Sequence, residues 1–459
     1  MPGVSRLMVP EISGTTAPPT RTTRMTTEET TRHATEAPFT VPKITDVKTR
    51  TTTTTTVITD VPTTPTTTRG KKDTWRGLIC TIGTKLDTSK MFVRDHLCEY
   101  IFYDSVYKKG STPFDPDNME SSLNIFLTNR LHFKSTKFGI VFAYKRRQQL
   151  LSELSTDNRA KPVVVKHFLD KDICNFGILD TPTNGLNKSS VEEMLQGLKL
   201  LDRFSVNKTS EDRECITVFA GPTAERPLED IYVEKFSTIF TPRIVVILSH
   251  YLEGDNMFAD CRVVPPTMLK RPSSIGTNSS YRYDMSAAAE TISNLIARGV
   301  DASWALSVTM KGRWTTLKAG QPVRFLSECV HDPNAQSFGS YTEVCQDPNF
   351  TEENHYMYES IVYGTLYYNR RNGQMFAYDN HTTYEQKLCR FRAEHLSFAI
   401  ALAAYDVEYD DYSNVCAPIN PFGEFTRLVN LKYVLLYLEY IFHNATQLKG
   451  CLQQTEYKL

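Results

Sequence analysis

Long apolar runs are missing from this chain of 459 residues. None reaches the ~18 residues that a membrane-crossing helix needs, so no membrane span is expected. The first fourteen residues lack the continuous apolar core of a secretory signal. An excess of one charge is missing too, since 52 basic and 52 acidic side chains leave a formal net charge of zero. Lys145-Arg146-Arg147 is a short basic run whose simplest meaning is a solvated surface. Without a basic stripe, nucleic acid is not an expected partner. No Cys-x-x-Cys pair occurs among the ten cysteines, which argues against a zinc site, and neither metal nor cofactor is expected. Aromatic residues are almost absent from residues 1–72, so nothing there can form a core that offsets the entropy of ordering.

What is present points to an oxidising compartment. The cysteine count is even and well spread, and six Asn-x-Ser/Thr sequons stand at Asn187, Asn207, Asn278, Asn349, Asn380 and Asn444. Together they predict a secreted protein or a cell-surface ectodomain. With no signal visible, a cleaved signal or a membrane anchor is expected upstream of residue 1. Residues 1–72 are rich in Thr and Pro, with Thr51 to Thr56 uninterrupted. In a secreted chain that composition reads as a mucin-like, O-glycosylated stalk, or as a plain disordered linker, and composition does not separate the two. Arg69-Gly70-Lys71-Lys72 closes the segment and would be open to proteases.

The remainder, 73–459, is aromatic and apolar. Eight short apolar runs recur: Leu78–Ile82, Tyr100–Val106, Phe138–Tyr144, Phe176–Asp180, Ile216–Ala220, Ile244–Ser249, Trp304–Thr309 and Phe398–Tyr405. Near-continuous apolarity is the mark of parallel strands buried on both faces. Segments with apolar residues at helical spacing, such as Ser190–Phe204 and Ala287–Ala297, fall between them. The alternation predicts an α/β fold, a (β/α)8 barrel.

Phe176-Gly177-Ile178-Leu179-Asp180-Thr181-Pro182-Thr183-Asn184 resembles the fourth barrel strand of the glycoside hydrolase family 18 chitinases, whose signature is D-x-x-D-x-D-x-E. The four signature positions then fall on Gly177, Asp180, Pro182 and Asn184. Leu78-Ile79-Cys80 and Leu97-Cys98-Glu99-Tyr100-Ile101-Phe102-Tyr103 are similar to the family's first two strands, and Gly299 to Val308 to its seventh. The ~85 residues before the last strand are too many for an ordinary loop. In the family this gap holds a small α+β insertion domain, here 310–396. Its landmarks are Ser340-Tyr341-Thr342-Glu343-Val344-Cys345 and Phe376-Ala377-Tyr378-Asp379-Asn380, and Ala403 to Tyr412 is similar to the closing strand. The resemblance implies disulfides Cys80–Cys98 and Cys345–Cys416. A third, Cys174–Cys215, is expected because both residues precede neighbouring strands.

In the family the terminal Glu protonates the glycosidic oxygen and the preceding Asp orients the substrate's acetamido group. On this register those positions hold Asn184 and Pro182, and an amide has no proton to give. The family's Gly-Gly pair on the third strand is Phe142-Ala143, which is expected to narrow the cleft floor. The sixth-strand carboxylate is lost in Leu248-Ser249-His250-Tyr251, and the Trp beneath the sugar is Tyr405. No catalytic residue is therefore expected. Asp180, Trp314 and Tyr405 are the candidate glycan contacts, although Asp180 reads equally as a structural strand-end residue. His250 is a pH-sensitive contact or, on the simpler reading, a filler of space, and Trp304 is expected in the core. Glu408, Asp410 and Asp411 match acidic positions outside the catalytic signature and are expected to be structural. Three functions follow: a lectin-like module for chitin or N-acetylglucosamine glycans without hydrolysis, a scaffold for extracellular proteins, or a residual glycosidase.

Overall fold

The computed structural model describes residues 76–106, 117–155, 162–182, 185–206, 214–252, 261–275, 281, 283–330, 337–353, 362–396 and 401–452. The expectations placed on Asn184, Asn207, Asn278 and the 1–72 segment lie outside them.

Among the described residues, fourteen strands fall in two sheets. In chain order they are β1 (Leu78–Ile82), β2 (Tyr100–Val106), β3 (Lys137–Phe142), β4 (Asn175–Ile178), β5 (Thr217–Pro222), β6 (Ile244–Leu248), β7 (Ser303–Thr309), β8 (Gly312–Leu317), β9 (Cys329–Val330), β10 (Phe338–Gly339), β11 (Phe350–Glu353), β12 (Thr365–Asn369), β13 (Gln374–Tyr378) and β14 (Leu402–Tyr405). Strands β1 to β7 and β14 close a barrel in the order β1-β14-β7-β6-β5-β4-β3-β2, every pair parallel. The other six form an antiparallel sheet between β7 and β14.

Continuous apolarity in the strands follows from burial on both faces. Ile79, Phe102, Val141, Leu179, Val218, Val246, Ala305 and Ala403 meet in the lumen, one from each barrel strand or its end. Their neighbours Cys80, Ile101, Ile140, Ile178, Phe219, Val245, Leu306 and Leu402 face the surrounding helices. Those helices are α1 (Ser121–Asn129), α2 (Arg147–Ser155), α3 (Val163–Asp170), α4 (Lys188–Val206), α5 (Arg226–Thr238), α6 (Met285–Ala297), α7 (His381–Glu394), α8 (Thr426–Tyr440) and α9 (Leu448–Leu452).

The longest, α4, shows why they dock. Val191, Met194, Leu195, Leu198 and Leu201 recur at helical spacing and are fully buried on one face. Its start is fixed by a reciprocal cap: the Asn187 side chain accepts the Ser190 N–H at 2.9 Å, and Ser190 Oγ accepts the Asn187 N–H at 3.0 Å. Helix α6 starts on Asp284, whose carboxylate accepts the Ala287 N–H at 2.7 Å. Gly299 follows it at φ +83°, where a side chain would be strained.

All ten cysteines pair, as Cys80–Cys98, Cys174–Cys215, Cys261–Cys329, Cys345–Cys416 and Cys389–Cys451. The last three join the segment between β7 and β14 to the rest of the chain. Each closes a long loop, so each removes roughly 4 kcal/mol of freedom from the unfolded chain on the chain-entropy account. Arg427 of α8 completes the join from inside the protein. Its guanidinium donates to Asp410 (2.9 Å), to the carbonyls of Met310 (2.9 Å), Tyr409 (2.9 Å) and Asp379 (3.3 Å), and lies 4.4 Å from the centre of the Tyr341 ring. Asp411 accepts the N–H groups of Val415 (2.9 Å) and Cys416 (2.7 Å), a structural role like that of Asp410. No helix among the described residues is long and apolar enough to cross a membrane.

Candidate functional site

In (β/α)8 barrels chemistry is sited where the strands end at their C-terminal side. Here that mouth is spanned by one side chain. Tyr405 ends β14, and its hydroxyl donates at 3.0 Å to the carbonyl of Leu179, just past β4. Strands β14 and β4 stand opposite each other in the barrel order, so the tyrosine crosses the full lumen. Its ring is 1% exposed.

His250, following β6, backs the tyrosine with ring centres 4.5 Å apart. Its Nδ1 lies 2.7 Å from Ser307 Oγ, which also accepts the Ser249 N–H at 2.7 Å. Nε2 is buried with no hydrogen-bond partner among the described residues. Burial holds the imidazole down to about 3, with Asp406 opposing the shift and Lys311 adding to it. A neutral, enclosed imidazole is a poor proton carrier, which fits the space-filling reading of His250.

Two sequence expectations change here. Phe142 faces the helices, stacked on Phe176 at 6.1 Å, and does not narrow the cleft floor. The bulk on the floor comes from Phe102, whose ring lies against Gly139 where a Cβ would collide with it. The register of β4 also shifts by one residue. Phe176 and Ile178 face the helices while Gly177 and Leu179 face the lumen. Asp180 therefore sits off the lumen line, partly exposed on the rim, and accepts the Tyr144 N–H at 2.7 Å. Thr181 is fully buried and donates to the Ala220 carbonyl, and Pro182 follows it at partial exposure. Both faces of this run are apolar, so period-2 alternation in the sequence cannot say which face is inside. Tyr405, expected as a stacking face for sugar, is too enclosed to offer one.

Polar groups gather above the tyrosine. Asp406 has left-handed backbone (φ 58°), pairs with Lys311 at 2.9 Å and accepts the Thr309 hydroxyl at 3.0 Å. Glu408 is 3% exposed and accepts the Gly83 N–H at 2.8 Å. Burial, reinforced by the charge of Asp406 and opposed by Lys311, pushes its carboxyl up to about 8. Asp104, near the end of β2, is buried, and its charge reaches Tyr405. Tyr409 presents its ring to Lys85 Nζ at 4.0 Å and to Lys311 Nζ at 4.9 Å. Ser340 donates to the Tyr409 carbonyl at 3.0 Å, which brings the β8–β10 edge of the second sheet to the same rim. Trp314 is on that edge, half-buried against Phe376 (4.5 Å) and Phe350 (5.7 Å), with its indole nitrogen and the Glu343 carboxylate both facing Gly339. Trp304 packs among the helices, in the core.

Sequence reasoning singled out Asp180 and Trp314 but missed Lys85, Lys311 and Tyr409. Lys311 could have been found, since it stands two residues past a barrel strand. Lys85 carries no comparable signal.

Solved structures share this fold. The Ostrinia furnacalis group II chitinase catalytic domain 2 aligns with a TM-score of 0.58 at 12% identity, over 78% of this chain and 96% of that one. Human YKL-39, described as a pseudo-chitinase with retained chitooligosaccharide binding properties, aligns with a TM-score of 0.58 at 12% identity, over 78% and 99%. The chain has the chitinase fold. An immunomodulatory active chitinase of Trichuris suis, TsES1, aligns likewise, with a TM-score of 0.57 at 13% identity over 79% and 100%. No protein-family model and no curated protein matches the chain. Chitinase-fold proteins thus include both hydrolases and a binder, and the residues of the mouth must separate these for this chain.

Proposed function

We propose that this chain is an extracellular, chitinase-like carbohydrate-binding protein that does not cleave the glycosidic bond. The observation that carries the reading is the lumen side of β4, where Gly177 and Leu179 offer no carboxyl group, beneath a tyrosine that closes the barrel. Hydrolysis of a glycoside needs an acid beside the leaving oxygen. Glu408 is the carboxyl that would hold a proton at neutral pH, but it is enclosed and already bonded to Gly83.

With the lumen shut, a glycan lies across the rim. Tyr409 and Trp314 supply ring faces, Asp180 and Asp406 accept hydroxyls, and Lys85 donates. The chitooligosaccharide binding ascribed to human YKL-39 supports the choice of N-acetylglucosamine oligomers as ligand. A secreted location is supported by five disulfides, which persist in oxidising compartments. The closed lumen favours a second reading, a scaffold for other extracellular proteins that has lost sugar binding. Calorimetric titration of the full chain with N-acetylglucosamine oligomers separates the two. Heat that saturates and weakens roughly tenfold in Tyr409→Ala supports the lectin. Silence at millimolar ligand supports the scaffold.

A further inference from the structure

Away from the barrel mouth, a cavity of about 430 Å³ opens between the start of α7 and the turn after the Cys345–Cys416 bridge. That is within the ~300–1,000 Å³ range of small-ligand sites. Asn380 and Thr382, the first and third residues of a sequon, both line it. The opposite wall is Pro418, Ile419 and Pro421, apolar and partly or fully exposed.

We propose that this cavity is the seat of an N-linked glycan on Asn380, whose first N-acetylglucosamine lies against the proline wall. The hydrogen bonds select this occupant. Asn380 caps α7 through Oδ1, which accepts the Thr383 N–H at 2.8 Å, and Nδ2, the atom that glycosylation modifies, keeps no partner among the described residues. At Asn349 the corresponding Nδ2 is donated to Asp347 at 2.8 Å. The floor offers a free ligand little. Asn420 gives both amide ends to Tyr341, Asp411 and Asn414, and the Arg427 guanidinium is committed to Asp410 and backbone carbonyls. A site for a diffusing ligand needs convergent polar groups to fix it, whereas a tethered sugar is held by its attachment and needs only a matching apolar surface. Glycan and cap then act together, fastening the α7 start to the segment after β14. The inference rests on the secretory reading given above.

The test is full-length chain secreted from an animal-cell host behind a supplied leader, digested in its native state with peptide-N-glycosidase and mapped by glycopeptide mass spectrometry. Asn380 is expected to be occupied. Its glycan should be released at least tenfold more slowly than those on the exposed Asn187 and Asn444, with the difference vanishing on denaturation. Thr382→Ala should lower Tm by roughly 1–2 °C while Thr382→Ser, which keeps the sequon, leaves it unchanged. A bare Asn380 beside occupied Asn187 and Asn444 overturns the proposal alone, as does release at equal rates. A chain without glycan at any sequon overturns the secretory reading and the proposal with it.

Discussion

Replacing Glu408 by Gln should convert a pH-dependent liability into a constant. In the folded chain this carboxyl titrates at about 8 against an ordinary 4.5, because it is 3% exposed and stands beside Asp406. The folded state therefore binds its proton more tightly than the unfolded state does. The stabilising effect is complete below about pH 4.5 and falls away as pH rises towards 8. At ~1.4 kcal/mol per pH unit, the loss across that window is at most about 5 kcal/mol, and water entering around a charged carboxylate reduces it. Gln keeps the acceptor for the Gly83 N–H and never ionises. The variant should match wild type within ~0.5 kcal/mol at pH 4.5 and exceed it by roughly 2–4 kcal/mol at pH 9. Urea unfolding with disulfides intact, followed by tryptophan fluorescence, to which the buried Trp304 contributes, in half-unit pH steps, reads the difference. Other shifted groups, such as His250 at about 3 and Asp284 at about 6, occur in both proteins and cancel. Parallel stability curves from pH 5 to 9 would refute the reasoning and return Glu408 to consideration as an ionised site residue.

Further outcomes follow from single contacts. Tyr405→Phe loses the bond across the barrel and leaves the Leu179 carbonyl unsatisfied, so it should cost about 1–2 kcal/mol in chemical denaturation. Arg427→Met strands Asp410 in the interior and should cost ~3–5 kcal/mol, with loss of secreted yield. Gly139→Ala drives a methyl into the Phe102 ring and should destabilise by ~1–3 kcal/mol, relieved by the added change Phe102→Leu. Equal stability of the single and double variants would contradict that packing.

The barrel was largely legible because its strands are buried on both sides. Each apolar run found in the sequence contains or overlaps a barrel strand, from Leu78–Ile82 to the residues ending at Tyr405. The same property hid the site. In Phe176-Gly177-Ile178-Leu179 both alternating faces are apolar, so the lumen face could not be chosen and the signature was set one residue off. Phe142 misled for the same reason. Contacts between distant residues were out of reach altogether. Nothing local ties Tyr405 to Leu179, or Lys387 to the Thr267 carbonyl, the buried join between α7 and the loop after β6. Only the folded chain brings them together.

The central claim is that the chitinase fold here binds without cutting. Incubating the secreted full-length protein with N-acetylglucosamine hexamer, with mass spectrometry of the sugar over days alongside the titration, tests it most directly. The account predicts saturable binding and a hexamer that stays intact. Shortened oligomers, lost in Glu408→Gln and absent from a mock purification control, would contradict it and assign to Glu408 the acid role denied here.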